Sequence, residues 1–484
     1  MTAHLSDSSQ RGQRRVDVAI VGAGLAGLTA ARTLAAAGLD IVVLEARDRV
    51  GGRTYTRPAA DGTPLDLGGQ WIGPTQDRIA ALAAAVGVTT FPTYVDGHNL
   101  QVHAGRRTLY EGAIPTGDAL AAAETVEALL TLNLMAMSVP LEAPWEAADA
   151  AAWDAQTFAT WIEANVASAA VRFMLTLAIQ AIFSAEPRDL SLLHVLFYIH
   201  SAGGLERLVG TTGAAQERRF HVGAQGVSTR VAAALGNRVV LDAPVHTIMQ
   251  DDEGVLVISE AFTADAQRAI VAIPPTLAGR LRYEPILPPL RDQLTQRMPM
   301  GTVIKVQCVY DAPFWRDAGL SGQVISDSGP VRVTFDNSPQ SGRPGVLLGF
   351  VEGDEGRHWM TRAAEGRRAA VLDCLAGYVG PRAAEPREYV EQNWAADEYT
   401  RGCYGGYMPP GVWTAYGPAL RAPVGRLHWA GTETATVWNG YMDGAVQSGQ
   451  RAAAEVLAAL SVKASARPAP SLRLLRLDDD QGEV

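Results

Sequence analysis

The sequence predicts an α/β protein built on a doubly wound, nucleotide-binding domain, and three stretches carry that prediction. The first is a complete strand, turn, helix and strand over residues 16–45, VDVAIVGAGLAGLTAARTLAAAGLDIVVLE. The second is a set of short apolar runs of β character between 238 and 275. The third is a strand that enters a glycine turn and then an amphipathic helix between 426 and 460. Strands alternating with helical patterns point to a largely parallel sheet with helices on its faces.

Within the first unit, residues 16–21 form an apolar run, Gly22-Ala23-Gly24-Leu25-Ala26-Gly27 is a GxGxxG turn, and Leu25, Leu28, Ala31 and Leu34 recur at helical spacing. A second apolar run at 41–44 ends in Glu45, 18 residues beyond Gly27. Gly22 permits the tight turn, Gly24 lets backbone N–H groups approach a pyrophosphate, and Gly27 lets the helix pack closely on the strand. The helix N-terminus, with unpaired N–H groups and the positive end of its dipole, suits the anion. Glu45 is placed to accept hydrogen bonds from an adenosine ribose and would repel a 2′-phosphate, so the ligand is FAD or NAD rather than NADP.

At 484 residues, 48% apolar and 19% charged, the chain is long enough for two or three domains with full cores. A formal net charge of −10, with no basic block longer than a pair, argues against a nucleic-acid partner. The three cysteines, Cys308, Cys374 and Cys403, include no CxxC, which points to neither a disulfide framework nor a thiolate zinc site and fits a reducing cytoplasm. The first 15 residues are polar and lack the apolar core of a secretion signal. The apolar-rich stretch 128–141 has only 14 residues and contains Asn133 and Pro140, so no membrane-crossing segment is expected.

After Glu45, the pairs Gly51-Gly52 and Gly68-Gly69 suggest backbone that passes close to a flat or phosphorylated ligand. From roughly 115 to 200 the chain is rich in Ala and Leu at helical spacing, an insertion whose cavity-facing residues would shape a substrate pocket. His194 and His200 fall within it with no partner at ligand spacing, and no metal site is expected. Residues 302–310 read as a strand with Lys305 inside it. Either this lysine lies on a solvated face beside Gln307, or it is buried and needs a partner. Near the C-terminus, Gly440-Tyr441-Met442-Asp443-Gly444-Ala445 opens a second helix whose N-terminus can face a polar ligand. The flanks, 1–14 and 461–484, read as flexible tails.

Several of these stretches closely resemble the flavin-dependent monoamine oxidases: GAGLAG with VVLEARDRVGGRTYT, LGGQWIGPTQ, TTGAAQERRFHVGAQGVS, AIPPTL, MPMGTVIKVQCVY, RGCYGGYMPPG and WAGTETATVWNGYMDGAVQSGQRAA. The likeness runs over nearly all of residues 15–460. It implies a doubly wound (Rossmann-like) FAD-binding domain from 15–90, 221–294 and 397–460, and a discontinuous α+β substrate-binding domain from 91–220 and 295–396. It also implies cofactor contacts at Gly22, Ala23, Gly24, Ala26, Gly27, Glu45, Ala46, Arg47, Gly52, Arg53, Gly69, Gln70, Trp71, Val245, Trp394, Cys403, Gly431, Thr432, Glu433, Met442 and Ala445.

Cys403 matches the cysteine joined in this family through a thioether to the flavin 8α-methyl carbon, so FAD is expected to be covalent. Lys305 matches the lysine that holds a water beside flavin N5. Tyr404 and Tyr441 match the paired rings that enclose the amine. Gln216 matches a polar residue at the pocket edge, and Val209, Ile182 and Phe350 match positions lining the cavity.

The resemblance implies FAD-dependent oxidation of amines, most simply primary monoamines, to aldehyde, ammonia and hydrogen peroxide, with a small amine and oxygen as the partners and a homodimer left open. The alternatives are a diamine, polyamine, cyclic-amine or L-amino-acid oxidase of the same fold, or a non-catalytic member that binds a protein or lipid. Three departures stand out: the membrane-anchoring C-terminal helix of the animal enzymes is absent, Arg401 and Trp71 replace the usual glycine and tyrosine, and Gly405-Gly406 suggests a roomier floor near Tyr404.

Overall fold

The computed structural model describes residues 12–112, 115 and 119–461. Its first sheet runs in the order 239–240, 41–44, 12–21, 262–271, 255–259, 245–250, 282–284, with 427–429 added beside 262–271. The strand Gly12–Val21 pairs in parallel with Ile41–Leu44 on one side and Phe262–Val271 on the other. It is central because Val18, Ala19 and Ile20 are fully buried, as a continuous apolar run in a parallel sheet requires. It begins at Gly12, so residues 12–14, expected to belong to a tail, are strand; the rest of that tail and 462–484 lie outside the described residues. Phe262–Val271 likewise starts earlier than its apolar end suggests, since Asp265, Gln267 and Arg268 interrupt its hydrophobic pattern.

Two close approaches fix the helices to this sheet. A Cβ on Gly27 would lie 2.0 Å from the carbonyl oxygen of Gly22, and one on Gly449 would lie 2.2 Å from that of Ala26. Gly27 thus seats the helix Leu25–Ala36 on the turn that ends the first strand, and Gly449 brings Met442–Ser461 into backbone contact with that helix, approaches that only glycine permits.

The second sheet is ordered 388–393, 303–310, 345–352, 333–336, 320–326, 98–103, 106–110. Its register places Lys305 opposite Phe350, Phe350 opposite Val333, and Val333 opposite Ile325, so one cross-strand row joins four segments far apart in sequence. Helices from the 119–209 region pack into a separate apolar core around Leu132, Phe158, Leu193 and Phe197. The longest, Ala119–Met137, begins nine residues before the apolar stretch read from the sequence, and its 19 residues at mean hydropathy 1.3 match a membrane span in length and composition. The shorter reading had excluded that. Two side chains tie this helix to the protein: Glu124 accepts the backbone N–H groups of Ala167 and Ser168, and Asn133 bonds Glu206 and the Leu205 N–H.

Candidate active site

One cavity of about 530 Å³ runs from the GxGxxG turn to the second sheet. At its first end the three glycines divide their tasks as their spacing suggests. Gly22 sits at φ +97° with a would-be Cβ 2.8 Å from Ile273, Gly27 serves packing, and Gly24 lines the cavity with nothing within 4 Å of its would-be Cβ. Gly24 also precedes the helix without any side-chain cap, leaving first-turn N–H groups for a ligand. Glu45 lines the same end; its oxygens accept the N–H of Ala23 at 2.7 Å and of Arg47 at 3.1 Å, which fixes the carboxylate. Arg47 is anchored in turn by Asp397 and by Thr400 at 2.6 Å.

Midway along, Arg53 and Glu433 form a bidentate pair at 2.5 and 3.0 Å, and Arg53 also donates to the carbonyl of Tyr404 at 2.9 Å. Burial opposes both charges, yet their mutual attraction dominates, lowering the carboxyl pKa and raising that of the guanidinium. Glu433 therefore orders the floor from beneath rather than lining the cavity. Ala23 and Gly27 are also set back from the surface, the first as a donor to Glu45 and the second in the helix contact. The other predicted cofactor residues line the cavity: Gly22, Gly24, Ala26, Glu45, Ala46, Arg47, Gly52, Arg53, Gly69, Gln70, Trp71, Val245, Trp394, Cys403, Gly431, Thr432, Met442 and Ala445.

At the far end stand Lys305, Tyr404 and Tyr441, with Gln216, Val209, Ile182 and Phe350 around them. Lys305 is not on a solvated face: its whole strand is buried, and so is Gln307. The ammonium donates to Gly68 O at 2.7 Å and Gln70 Oε1 at 2.5 Å, with the rings of Trp71 and Phe350 at 5.7 and 5.6 Å. Burial pushes its pKa down, against the pull of Asp66. Cys403 is buried and faces the cavity; burial pushes its thiol up to about 12, while Arg53 favours the thiolate. Tyr404 meets Phe350 edge-on at 6.1 Å. Tyr441 is braced by Trp438 at 4.9 Å and Tyr198 at 6.0 Å.

Comparison with known proteins identifies the family. The family model described as flavin containing amine oxidoreductase matches residues 25–457. The chain belongs to that family. This amine oxidoreductase is 42% identical over 445 residues, 92% of its own length and 97% of the relative's, to a protein of Mycobacterium tuberculosis named as a flavin-containing monoamine oxidase, AofH. Among solved structures it is similar to putrescine oxidase bound to putrescine (TM-score 0.89, 36% identity, 92% of this chain and 100% of that one). It is also similar to cyclohexylamine oxidase from Brevibacterium oxydans (TM-score 0.88, 36% identity, 92% and 99%). The enzyme is thus a flavin-containing oxidoreductase that oxidatively deaminates amines, and the open cradle at Gly24, the fixed Glu45 and the length of the cavity fit FAD.

The amine oxidoreductase also departs from its sequence reading. Gly405 and Gly406 face Glu433, Arg53, Met298 and Met300 rather than the cavity, so they do not enlarge its floor. Arg401 adopts φ +55°, a left-handed conformation that explains why glycine is usual there. Arg172 and Arg207, arginines of the helical region whose direction the sequence leaves open, donate to Val166 O and Thr75 Oγ1 respectively, and neither lines the cavity. His194 accepts from the Trp413 indole at 3.2 Å inside an aromatic cluster, where burial drops its pKa to about 3. Among the described residues no cluster of His, Cys, Asp or Glu is arranged to hold a metal. Tyr110, Tyr198, Gln323 and Ile325 also line the cavity and were missed, because they come from strands and a helix whose pattern reads only as core.

Proposed function

We propose that the substrate is a primary monoamine with an apolar, uncharged body, oxidised to the aldehyde with release of ammonia and hydrogen peroxide. The observation that carries this reading is the wall around the two tyrosines. Beyond Lys305, its residues include Met174, Ile182, Val209, Ile325, Val333 and Phe335, with the hydroxyls and amides of Tyr110, Tyr198, Gln216 and Gln323; the guanidinium that reaches one of the two tyrosines, Arg53 at the Tyr404 carbonyl, is already held bidentately by Glu433. A second ammonium would want an acid there, and an amino-acid carboxylate an arginine. Glu45, Arg47, Glu398 and Arg401 lie on the nucleotide half of the cavity instead, and Arg280 reaches it from the segment between strands 262–271 and 282–284 of the first sheet.

FAD held along Gly24, Glu45 and the rest of the nucleotide half would supply the acceptor for the hydrogen and electrons of the amine α-carbon and their delivery to oxygen. The chain supplies the setting. Tyr404 and Tyr441 present π-faces to the amine, and their dry surroundings favour its neutral, oxidisable form. Gln216 gives its amide N–H to Leu208 O at 3.1 Å, which leaves its carbonyl oxygen without a partner and so able to accept from an amine N–H. Lys305 holds a water or a developing charge near the reacting centre, oriented by Gly68 and Gln70.

The reading extends to covalent attachment of the flavin through Cys403, supported by that thiol's place in the cavity wall between Trp394 and Tyr404, and to a two-unit organisation in which the first sheet binds FAD and the second carries substrate contacts. Anaerobic mixing with amines tests the substrate class. The flavin band should bleach with benzylamine, 2-phenylethylamine and hexylamine, and far more slowly with putrescine or L-amino acids. Bleaching by diamines or amino acids alone would overturn the monoamine reading.

A further inference from the structure

Behind Tyr404 stands a buried carboxyl group that the reaction described above does not use. Glu352 ends the strand Gly345–Glu352, two residues beyond Phe350, and is 7% exposed. The Tyr404 hydroxyl donates to its Oε1, and Ser184 Oγ donates to the same oxygen at 3.4 Å. Ser184 caps the helix Ala169–Phe183 in a left-handed conformation, which brings its hydroxyl to this point.

No lysine, arginine or histidine among the described residues pairs with Glu352. The carboxylate that bears on it, Glu186, is occupied by the Asp354 N–H at 2.7 Å and the Gln180 amide at 2.8 Å. Lys305 on the adjacent strand is directed to Gly68 and Gln70. Burial, reinforced by Glu186 and opposed by the two hydroxyl donors, pushes the Glu352 carboxyl up to about 8.

We propose that Glu352 is a positioning residue for the amine: it fixes the Tyr404 hydroxyl and so the plane of the ring, and on ionising it strengthens the ring's attraction for a cation. The inference rests on Tyr404 facing the amine. A phenol that donates to a carboxylate makes a shorter, charge-assisted bond, and the negative charge behind the ring adds to the potential at its face. Carboxyl and ring are covalently independent but share one hydrogen bond, so the state of the first is felt at the second.

The test uses flavin-loaded enzyme and benzyltrimethylammonium, whose charge does not change with pH, with benzyl alcohol as a neutral control. Binding is followed by perturbation of the flavin spectrum from pH 6 to 9.5. In the wild type the cation should bind about three- to tenfold more tightly as pH rises through 8, the range of one cation–π contact, and the alcohol should show no step. In Glu352→Gln the cation's affinity should stay flat, and in Tyr404→Phe the step should also vanish. Lys305 is the other group able to titrate nearby, so the step must persist in Lys305→Met. A step that survives Glu352→Gln, or Tyr404→Phe should the first variant fail to fold, overturns the inference, as does an equal step for the alcohol. Failure of the amine reading itself looks different: neither ligand perturbs the wild-type flavin at any pH.

Discussion

Lys305→Met separates the stability of the site from its chemistry. The ammonium makes two hydrogen bonds, at 2.7 Å to Gly68 O and 2.5 Å to Gln70 Oε1, within a fully buried strand. Removing it strands two acceptors, at about 1–3 kcal/mol each, but also removes a buried cation without a hydrogen-bonded acid, whose desolvation costs several kcal/mol. Methionine fills a similar volume, so the two effects largely cancel and the melting temperature should move by only a few degrees. The rate has no such compensation. A charge-assisted hydrogen bond to a reacting group contributes about 1.5–3 kcal/mol, and at about 1.4 kcal/mol per decade its loss slows the affected step roughly 10- to 150-fold. Stopped-flow measurement of anaerobic reduction by benzylamine and of reoxidation by oxygen assigns the loss to one half-reaction. Both half-reactions within twofold of wild type, with flavin still bound, would refute the role given to Lys305.

Cys403→Ser should keep FAD but release it on acid precipitation, whereas the wild type should keep its colour in the pellet; wild-type flavin that washes out would end the covalent reading. Because burial raises the Cys403 thiol to about 12, its thiolate fraction grows as pH rises, and attachment after adding FAD to apoprotein should speed up roughly tenfold per pH unit below that value, followed as acid-stable flavin against time. Gly24→Ala places a methyl in the cavity and should cut flavin loading while the apoprotein stays folded by circular dichroism; Gly27→Ala, with its Cβ 2.0 Å from Gly22 O, should abolish soluble expression. Val333 lies two strands from Lys305, about 10 Å at the usual strand spacing, so Val333→Glu should raise kcat/KM for putrescine relative to benzylamine by tenfold or more, read from peroxide production.

The nucleotide half of the cavity was legible because its information is local. Strand, glycine turn, helix and Glu45 lie within one 30-residue unit, and each residue's task follows from its neighbours in the chain. Where the local signal weakened, the reading slipped by a few residues, as at the polar start of Gly12–Val21 and in Phe262–Val271. Lys305 marks the limit of local inference. Alternation with Gln307 allowed a solvated face, and only the segment 66–70 lying over that face, which takes the hydrogen bonds of Lys305 and Gln307, decides that it is buried. The likeness to a family supplied Tyr404 and Tyr441, but nothing in the sequence pointed to Glu352, which reads as an ordinary strand end before a glycine.

The substrate half is legible only through the family likeness, which supplied Lys305, Phe350, Ile182 and Val209 but not Val333 or Ile325, and the reason is physical. Its wall is a row, Lys305, Phe350, Val333 and Ile325, set by the register of four antiparallel strands, closed by Ile182 and Val209 from helices that precede those strands in the chain. A one-residue slip in any pair would turn a different side chain inward, so the composition of the wall depends on pairings between residues separated by 8 to 45 positions and not on any motif. The row also has direction. Lys305 stands beside the cavity-lining Gln70 and Trp71, and each strand outward adds one side chain at about 4.8 Å, so an amine bound as proposed would have its substituents read in order of their distance from the reacting carbon. Changing Phe350 should then alter the size of the group tolerated next to that carbon, whereas changing Ile325 should affect only the far end of longer amines.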